Sequence, residues 1–111
     1  MSNGDCIFCK IINKELPGDI VFEDDNVIAF KDIDPKAPVH LLFVPREHIE
    51  SINSEGAENV VKDLILAAKK VIKRDDIKGY KLVFNVGREA GQSVDHLHMH
   101  LLSGGPSELK I

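Results

Sequence analysis

Two stretches of the chain carry apolar residues at the spacing of an α-helix. The first covers residues 5–14, where a short apolar stripe begins just after Asp5, a possible N-cap. The second covers residues 54–74, where a longer stripe has lysines and acids on its opposite side. Asn53 or Ser54 can cap the start of this second helix. The pattern therefore predicts one short and one long amphipathic helix.

Five other stretches predict β-strands. Each is a short run of aliphatic or aromatic residues bounded by polar, glycine or proline positions. The runs are residues 20–22, 27–30, 41–44, 81–85 and 96–102. The order of a helix, three strands, a long helix and two strands predicts an α+β fold with a mostly antiparallel sheet. Neither a repeat nor a linker is visible, so we expect residues 1–111 to form a single domain.

The last predicted strand has a polar face that consists of histidine alone. His96, His98 and His100 alternate with leucine and methionine, which is the period of a half-buried strand. Same-face neighbours lie roughly 6.5 to 7 Å apart along a strand. A histidine tag or a solvated tail has no apolar residues in register with its histidines, so the pattern favours a functional row of imidazoles.

Composition and charge restrict the kind of partner that the row can serve. The 111 residues are 43% hydrophobic and 29% charged, which is ordinary for a soluble domain. A net charge of −4 without a strong basic cluster gives no footprint for a nucleic-acid polymer, so any nucleotide bound should be small. No apolar run approaches the ~20 residues of a membrane span, and no secretory signal is visible. We therefore expect a cytoplasmic protein without a membrane partner.

Cys6 and Cys9 form a C-x-x-C pair. In a reducing compartment such a pair indicates a metal site or a redox pair more often than a structural disulfide. A thioredoxin-type motif follows a strand, and only five residues precede Cys6, so the redox interpretation is disfavoured. A pair of small buried thiols remains the alternative to a metal site.

The loop before the histidine row suits a phosphate group. Histidine has an unperturbed pKa of about 6.5, so near neutral pH it can attack as an imidazole or donate a proton as an imidazolium. Residues 86–93 contain glycines whose backbone can approach a ligand closely. Asn85, just before the loop, and Ser93, its last residue, can hydrogen-bond phosphoryl oxygens. Together with three imidazoles, this loop predicts a phosphate cradle.

Residues 96–102 match the pattern His-φ-His-φ-His-φ-φ, with φ apolar, that defines the histidine triad (HIT) superfamily. The resemblance also covers segments along most of the chain. They are residues 7–8, 10–12, 22–25, 29–30, 32–33, 35, 37–38, 40, 44–45, 48–49, 85 and 91–93. The chain resembles the histidine triad nucleotide-binding branch, also called protein kinase C inhibitor-like. The resemblance implies a HIT-like fold, a homodimer with a continuous ten-stranded sheet, and purine nucleoside phosphoramidase activity that needs no cofactor.

The same resemblance implies catalytic roles. His98 would attack the α-phosphorus of an AMP-like substrate, expel an amine and form a nucleotidyl-histidine that water hydrolyses. His100, Ser93 and Asn85 would hold the phosphoryl oxygens, with Ser93 on the leaving-group side. A carbonyl near the first histidine would fix the tautomer of His98.

A nucleoside pocket is also implied. Asp32 would bind the ribose hydroxyls, and apolar side chains would enclose the purine, although plain core packing competes as an explanation for them. The implied substrate-binding residues are Ile7, Phe8, Ile11, Phe30, Asp32, Ile33, His40, Gly91 and Gln92.

Some bacterial-type members of the superfamily carry a structural zinc, and this chain has residues at similar positions. They are Cys6, Cys9, His48 and His96. A C-x-x-C pair completed by two distant histidines is a recognised zinc ligand set. We expect the other two histidines of the row to stay off the metal, because a metal-bound His98 could not attack phosphorus.

Three departures from the vertebrate-type pattern concern specificity more than mechanism. Lys31 stands where a histidine is usual, Asp95 replaces an aromatic residue, and the tail 103–111 lacks tryptophan.

Two alternative functions remain open. One is a dinucleoside polyphosphate hydrolase or nucleotidyl transferase that uses the same His98, and the other is a non-catalytic nucleotide- or zinc-binding module.

Overall fold

The computed structural model describes residues 5–105, which form one five-stranded sheet and two α-helices. The helices are α1 (Ile7–Ile12) and α2 (Ala57–Arg74). The strands are β1 (Ile20–Glu23), β2 (Val27–Lys31), β3 (Val39–Pro45), β4 (Lys81–Val83) and β5 (Met99–Ser103). Neighbouring strands run antiparallel in the order β1-β2-β3-β5-β4. The predicted α+β fold, with a short and a long helix, is confirmed.

The sheet has a core on each face because successive residues of a strand point to opposite sides. On one face, Phe43 and Met99 pair across β3 and β5 and pack in a cluster that includes Leu64 of α2. On the other face, Leu42 belongs to a smaller cluster covered by α1. The members of this second cluster are Cys6, Phe8, Cys9, Ile28, Phe30, Leu42 and Val44. Since Leu42 pairs with His100, the histidine row lies on the α1 face.

The paired part of β5 is shorter than the predicted strand 96–102, because it begins at Met99. Proline has no N–H to continue the ladder, and Pro45 ends β3 opposite this segment. The Pro45 carbonyl instead accepts a hydrogen bond from the His96 ring at 2.9 Å. Leu97 N–H donates to the Ile49 carbonyl at 2.7 Å, outside the strand ladder. The alternation persists, with Leu97 buried on the α2 side.

Both predicted helix caps are wrong. The N-cap of α1 is Cys6 and not Asp5, and the Cys6 thiol accepts from the Cys9 N–H at 3.4 Å. The α2 helix begins after Gly56, which has φ of 80° and no side-chain cap bond, and not at Asn53 or Ser54. Glycine adopts this left-handed conformation without steric cost, so the chain can turn into the helix there.

Two further expectations concern the membrane and the C-terminal tail. Within residues 5–105, neither helix is long and apolar enough to cross a bilayer. The departure expected in the tail falls mostly on residues 106–111, which lie outside the described residues.

Candidate active site and metal cluster

The five histidine side chains form a row of ring contacts on the α1 face of the sheet. Neighbouring centroids lie 4.8 to 6.0 Å apart, and one phenylalanine of α1 is inserted in the row. The order is His48, His96, Phe8, His98, His100 and His40. The row thus joins two groups of residues, one beside the cysteines and one beside Asp32.

His98 is held in the tautomer that a nucleophile needs. Its Nδ1 lies 2.8 Å from the main-chain carbonyl of His96. A carbonyl can only accept, so Nδ1 carries the proton and Nε2 keeps its lone pair. Burial lowers the pKa of His98, while the bond to His96 opposes that effect. The imidazole is therefore neutral near pH 7, as nucleophilic attack requires.

His100 is oriented by a chain of hydrogen bonds. The Lys36 N–H donates to His40 Nδ1 at 3.0 Å, so the proton of neutral His40 is on Nε2. That Nε2 donates to His100 Nδ1 at 2.9 Å. His100 must then carry its own proton on Nε2. The Asp32 carboxylate lies 3.4 Å from His40 Nε2 and helps to hold it.

Burial keeps this pair of histidines neutral. It lowers the pKa of His100 to about 4, with smaller lowering effects from His98 and His40, and Asp32 partly opposes the change. Burial also lowers the pKa of His40, against the raising effect of Asp32. Both imidazoles therefore act near neutral pH as uncharged hydrogen-bonding groups.

A cavity of about 460 Å³ opens over His98 and His100. It is lined by all the residues predicted to bind the base and the ribose, which are Ile7, Phe8, Ile11, Phe30, Asp32 and Ile33. Ile33 is 98% exposed and therefore stands at the rim. The ring of Phe8 meets that of Phe30 edge to face at 5.6 Å, which makes an aromatic wall. A largely apolar cavity with a few polar groups suits a small ligand that carries a flat ring.

Six lining residues were not predicted as site residues from the sequence. They are Leu16, Pro17, Gly18, Lys31, Leu42 and Val94. Leu42 could have been found, since the register of two adjacent antiparallel strands places it beside His100. The segment 16–18 gave no local signal, because only the position of α1 brings it to the cavity.

The loop before the row places one of its predicted polar residues in the cavity, Ser93. Asn85 donates its amide to the Ala90 carbonyl at 2.9 Å. Gln92 is buried and bonded to main-chain groups, accepting from Gly87 N–H at 2.9 Å and donating to the Glu50 and Val94 carbonyls. Gly91 has φ of 91°, a left-handed turn that glycine allows. Asn85, Gly91 and Gln92 thus shape the loop that presents Ser93.

At the other end of the row, four donor atoms lie within 4.8 Å of one another. They belong to Cys6, Cys9, His48 and His96, the predicted metal ligands. His96 Nδ1 lies 3.4 Å from the Cys6 sulfur and 3.6 Å from the Cys9 sulfur, and His48 Nδ1 lies 3.2 Å from the Cys9 sulfur. Neither cysteine forms a disulfide.

The arrangement of these donors fits a tetrahedral metal ion. Metal–ligand bonds of 2.0–2.3 Å place neighbouring donors about 3.3 to 3.8 Å apart in a tetrahedron, close to the three separations of 3.2, 3.4 and 3.6 Å given above. His96 Nε2 donates to the Pro45 carbonyl, so Nδ1 directs its lone pair at the sulfurs. Such an outer hydrogen bond commonly fixes the tautomer of a metal-bound histidine. Burial also lowers the pKa of His96 to about 4, so the ring is neutral and available as a ligand.

Fold and site together define a class: an α+β protein in which alternating histidines cross one face of an antiparallel sheet beside an aromatic cavity. The model of the family described as "Scavenger mRNA decapping enzyme C-term binding" matches residues 5–109. A purine nucleoside phosphoramidase of Escherichia coli K12 is 45% identical over 104 residues, covering 90% of this chain and 87% of the relative.

Solved structures agree with the sequence relatives. A HIT family hydrolase from Clostridium thermocellum has a TM-score of 0.91 and 47% identity, with 99% of each chain covered. A histidine triad protein from Clostridium difficile has a TM-score of 0.90 and 39% identity, with 96% of each chain covered. The chain belongs to the histidine triad superfamily.

Proposed function

We propose that the protein hydrolyses purine nucleoside phosphoramidates through a nucleotidyl intermediate on His98. The observation that carries the proposal is the His98–His96 hydrogen bond, which leaves the lone pair of His98 Nε2 available in the cavity. The E. coli relative at 45% identity is a purine nucleoside phosphoramidase, which supports this substrate class over dinucleoside polyphosphates.

The cavity suggests how the substrate is held. The purine lies against Phe8 and Phe30, and the Asp32 carboxylate accepts from the ribose hydroxyls. The phosphoryl group then lies beside His98, His100 and Ser93, which also line the cavity. The apolar walls exclude water from the base and leave the polar end for the chemistry.

Catalysis proceeds in two displacements. His98 Nε2 attacks the phosphorus, the P–N bond breaks, and the amine leaves with a proton delivered by way of the Ser93 hydroxyl. His100 donates its Nε2 proton in a hydrogen bond to a phosphoryl oxygen as negative charge builds. Water then attacks the nucleotidyl-histidine, releasing the nucleoside monophosphate and restoring His98. Asn85 acts at the phosphoryl group and supports the loop that carries Ser93.

A substrate panel assayed with wild type and His98→Ala tests this function. We expect wild type to convert adenosine phosphoramidate to AMP and ammonia, faster than it cleaves diadenosine polyphosphates. His98→Ala should bind AMP but show no turnover, because the nucleophile is missing while the base and ribose contacts remain. A nucleotidyl group trapped on a residue other than His98 would refute the mechanism. AMP binding by wild type without turnover of any substrate would favour the non-catalytic module.

We also propose that Cys6, Cys9, His48 and His96 hold a structural zinc ion. A closed Cys₂His₂ set supplies the four ligands that zinc prefers, and such a site stabilises the segments it joins. The reaction itself uses no cofactor. Metal analysis of protein purified without chelator decides: we expect about one zinc per chain, lost in Cys6→Ser/Cys9→Ser. Less than about half an equivalent, unchanged in that variant, would remove the site.

The active form proposed is a cytoplasmic homodimer. Strand β4 is at the edge of the sheet, so pairing two β4 strands gives a continuous ten-stranded sheet. Large apolar side chains are exposed on and near this edge and on α2, including Tyr80, Leu82 and Leu66. Two reduced cysteines at a metal-type cluster suit a reducing compartment.

A further inference from the structure

We propose that the metal ligands Cys6, Cys9 and His48 are also positioning residues for the reaction, because together they fix the His96 carbonyl that orients His98. This inference rests on the proposed function, with His98 as the nucleophile, and on metal binding by the Cys/His cluster. It gives the cluster a role beyond stabilising the fold.

His96 is the first physical link between the Cys/His cluster and the nucleophile His98. Its ring Nδ1 faces the two sulfurs, while its main-chain carbonyl accepts the proton of His98 Nδ1 at 2.8 Å. One residue is thus both a donor for the metal and the group that selects the tautomer of the nucleophile. A displacement of the His96 backbone moves the ring and the carbonyl together, since both are attached to the same Cα, so contacts that anchor the ring restrain the carbonyl.

The backbone segment that carries the His96 carbonyl is held in place by contacts outside the strand ladder. Strand β5 begins at Met99, so His96 and His98 lie outside the paired ladder. The His96 ring bond to the Pro45 carbonyl and the Leu97 bond to the Ile49 carbonyl hold the segment to the end of β3 and the loop after it. That loop contains His48, whose Nδ1 contacts the Cys9 sulfur at 3.2 Å. A metal ion would therefore join α1, the loop after β3 and the His96 segment at one point.

Phe8 is a second link. It lies between Cys6 and Cys9 in the first turn of α1, and its buried ring contacts His98 edge to face with centroids 5.0 Å apart. An isolated helix of six residues is not stable in water, so α1 keeps its place through tertiary contacts. Thiolates bound to a metal would hold the turn that presses Phe8 against His98.

The test compares metal-loaded wild type, wild type stripped of metal by a chelator, and the Cys6→Ser/Cys9→Ser variant. Nitrogen-15 NMR of the histidine rings reports the tautomer of His98, and steady-state kinetics separates kcat from KM. In the stripped protein we expect the Nδ1-protonated signature of His98 to give way to a mixture. We expect kcat to fall on the order of 10²-fold, as for a small misplacement of a reacting group, with KM and AMP affinity nearly unchanged.

Rescue and a matched control separate positioning from stability. Added Zn²⁺ should restore the His98 signature and kcat in stripped wild type, but not in the double variant. Val44→Ala removes volume from the same buried cluster without removing a metal ligand. It should lower the melting temperature while leaving kcat and the His98 signature unchanged at temperatures well below melting.

Three outcomes decide the inference. Unchanged His98 tautomer and kcat in folded, stripped protein would overturn it and leave the hydrolase function standing. Inactive metal-loaded wild type would refute the proposed function, while the NMR comparison would still decide whether the metal orients His98. Should stripping unfold the protein by circular dichroism, His48→Asn, which keeps three donors, gives the same readouts: a wild-type tautomer and kcat there would also refute the inference.

Discussion

His40 offers the sharpest test of how the catalytic end of the row is organised. Both of its ring nitrogens are engaged, Nδ1 by the Lys36 N–H and Nε2 by His100. It lies behind His100, and its contribution passes through that ring. His40→Leu puts an apolar side chain at this buried position and removes the donor to His100 Nδ1.

The expected loss of kcat and of stability in His40→Leu follows from the two groups that lose a hydrogen-bond partner, the Lys36 N–H and His100 Nδ1. Lys36 is exposed, so water can replace the lost acceptor for its N–H. His100 Nδ1 loses its donor in a partly buried position, and an unsatisfied polar group of this kind costs about 1–3 kcal/mol. If that cost is expressed in the transition state, where the His100 tautomer matters, kcat falls about 5- to 150-fold. The unfolding free energy should fall by a similar amount, about 1–3 kcal/mol.

The matched variant is His40→Gln, whose amide N–H can occupy the position of His40 Nε2 and donate to His100. We expect it to recover most of the lost kcat, measured with adenosine phosphoramidate, while KM changes little in either variant. Chemical denaturation measures the stability term separately. Wild-type kcat in His40→Leu, or equal losses in the leucine and glutamine variants, would refute the hydrogen-bond chain as the means of orienting His100.

Three further predictions concern the loop, the pH dependence and the assembly. Ser93→Ala should retain measurable activity, losing about 10²–10⁴-fold as expected for a proton-transfer group, and a larger loss than in His98→Ala would mean that the roles are misassigned. The free energy of unfolding should decline as pH falls from 6.5 towards about 4. Burial and the facing His98 and His40, opposed by Asp32, lower the pKa of His100 to about 4 in the folded protein. Over this range the unfolded chain binds a proton at this histidine and the folded chain does not, so acid favours unfolding. Acid denaturation of His100→Asn should show a shallower decline over this range, and an identical slope would contradict the assignment. Sedimentation should find a homodimer at micromolar concentration, and a monomer there would contradict the proposed sheet pairing.

The fold could be predicted because its main elements have clean periods. The long helix buries its apolar face, and the alternating triad places its apolar residues in the core on the α2 side and its histidines on the α1 side, where His96 and His98 are buried as well. Four-residue apolar runs also marked β2 and the centre of β3. These signals are local, so each element could be recognised without knowledge of its neighbours.

The parts that the sequence missed depend on distant residues. The start of β5 is set by Pro45, which ends the partner strand and offers its carbonyl to the His96 ring. The role of His40 depends on the backbone of Lys36 and the ring of His100, which come together only in the sheet. A histidine with two engaged nitrogens looks the same in sequence as one that contacts a ligand.

The short helix α1 explains why the metal cluster and the cavity occupy one place in this fold. Its first turn supplies two thiols to the cluster, and the residues between and after them, Ile7, Phe8 and Ile11, line the cavity. A helix of six residues has too few internal hydrogen bonds to hold these side chains alone. Its position is therefore set by the sheet below and the cluster at its N-terminus, so a change in either one moves the wall against which the purine is proposed to bind.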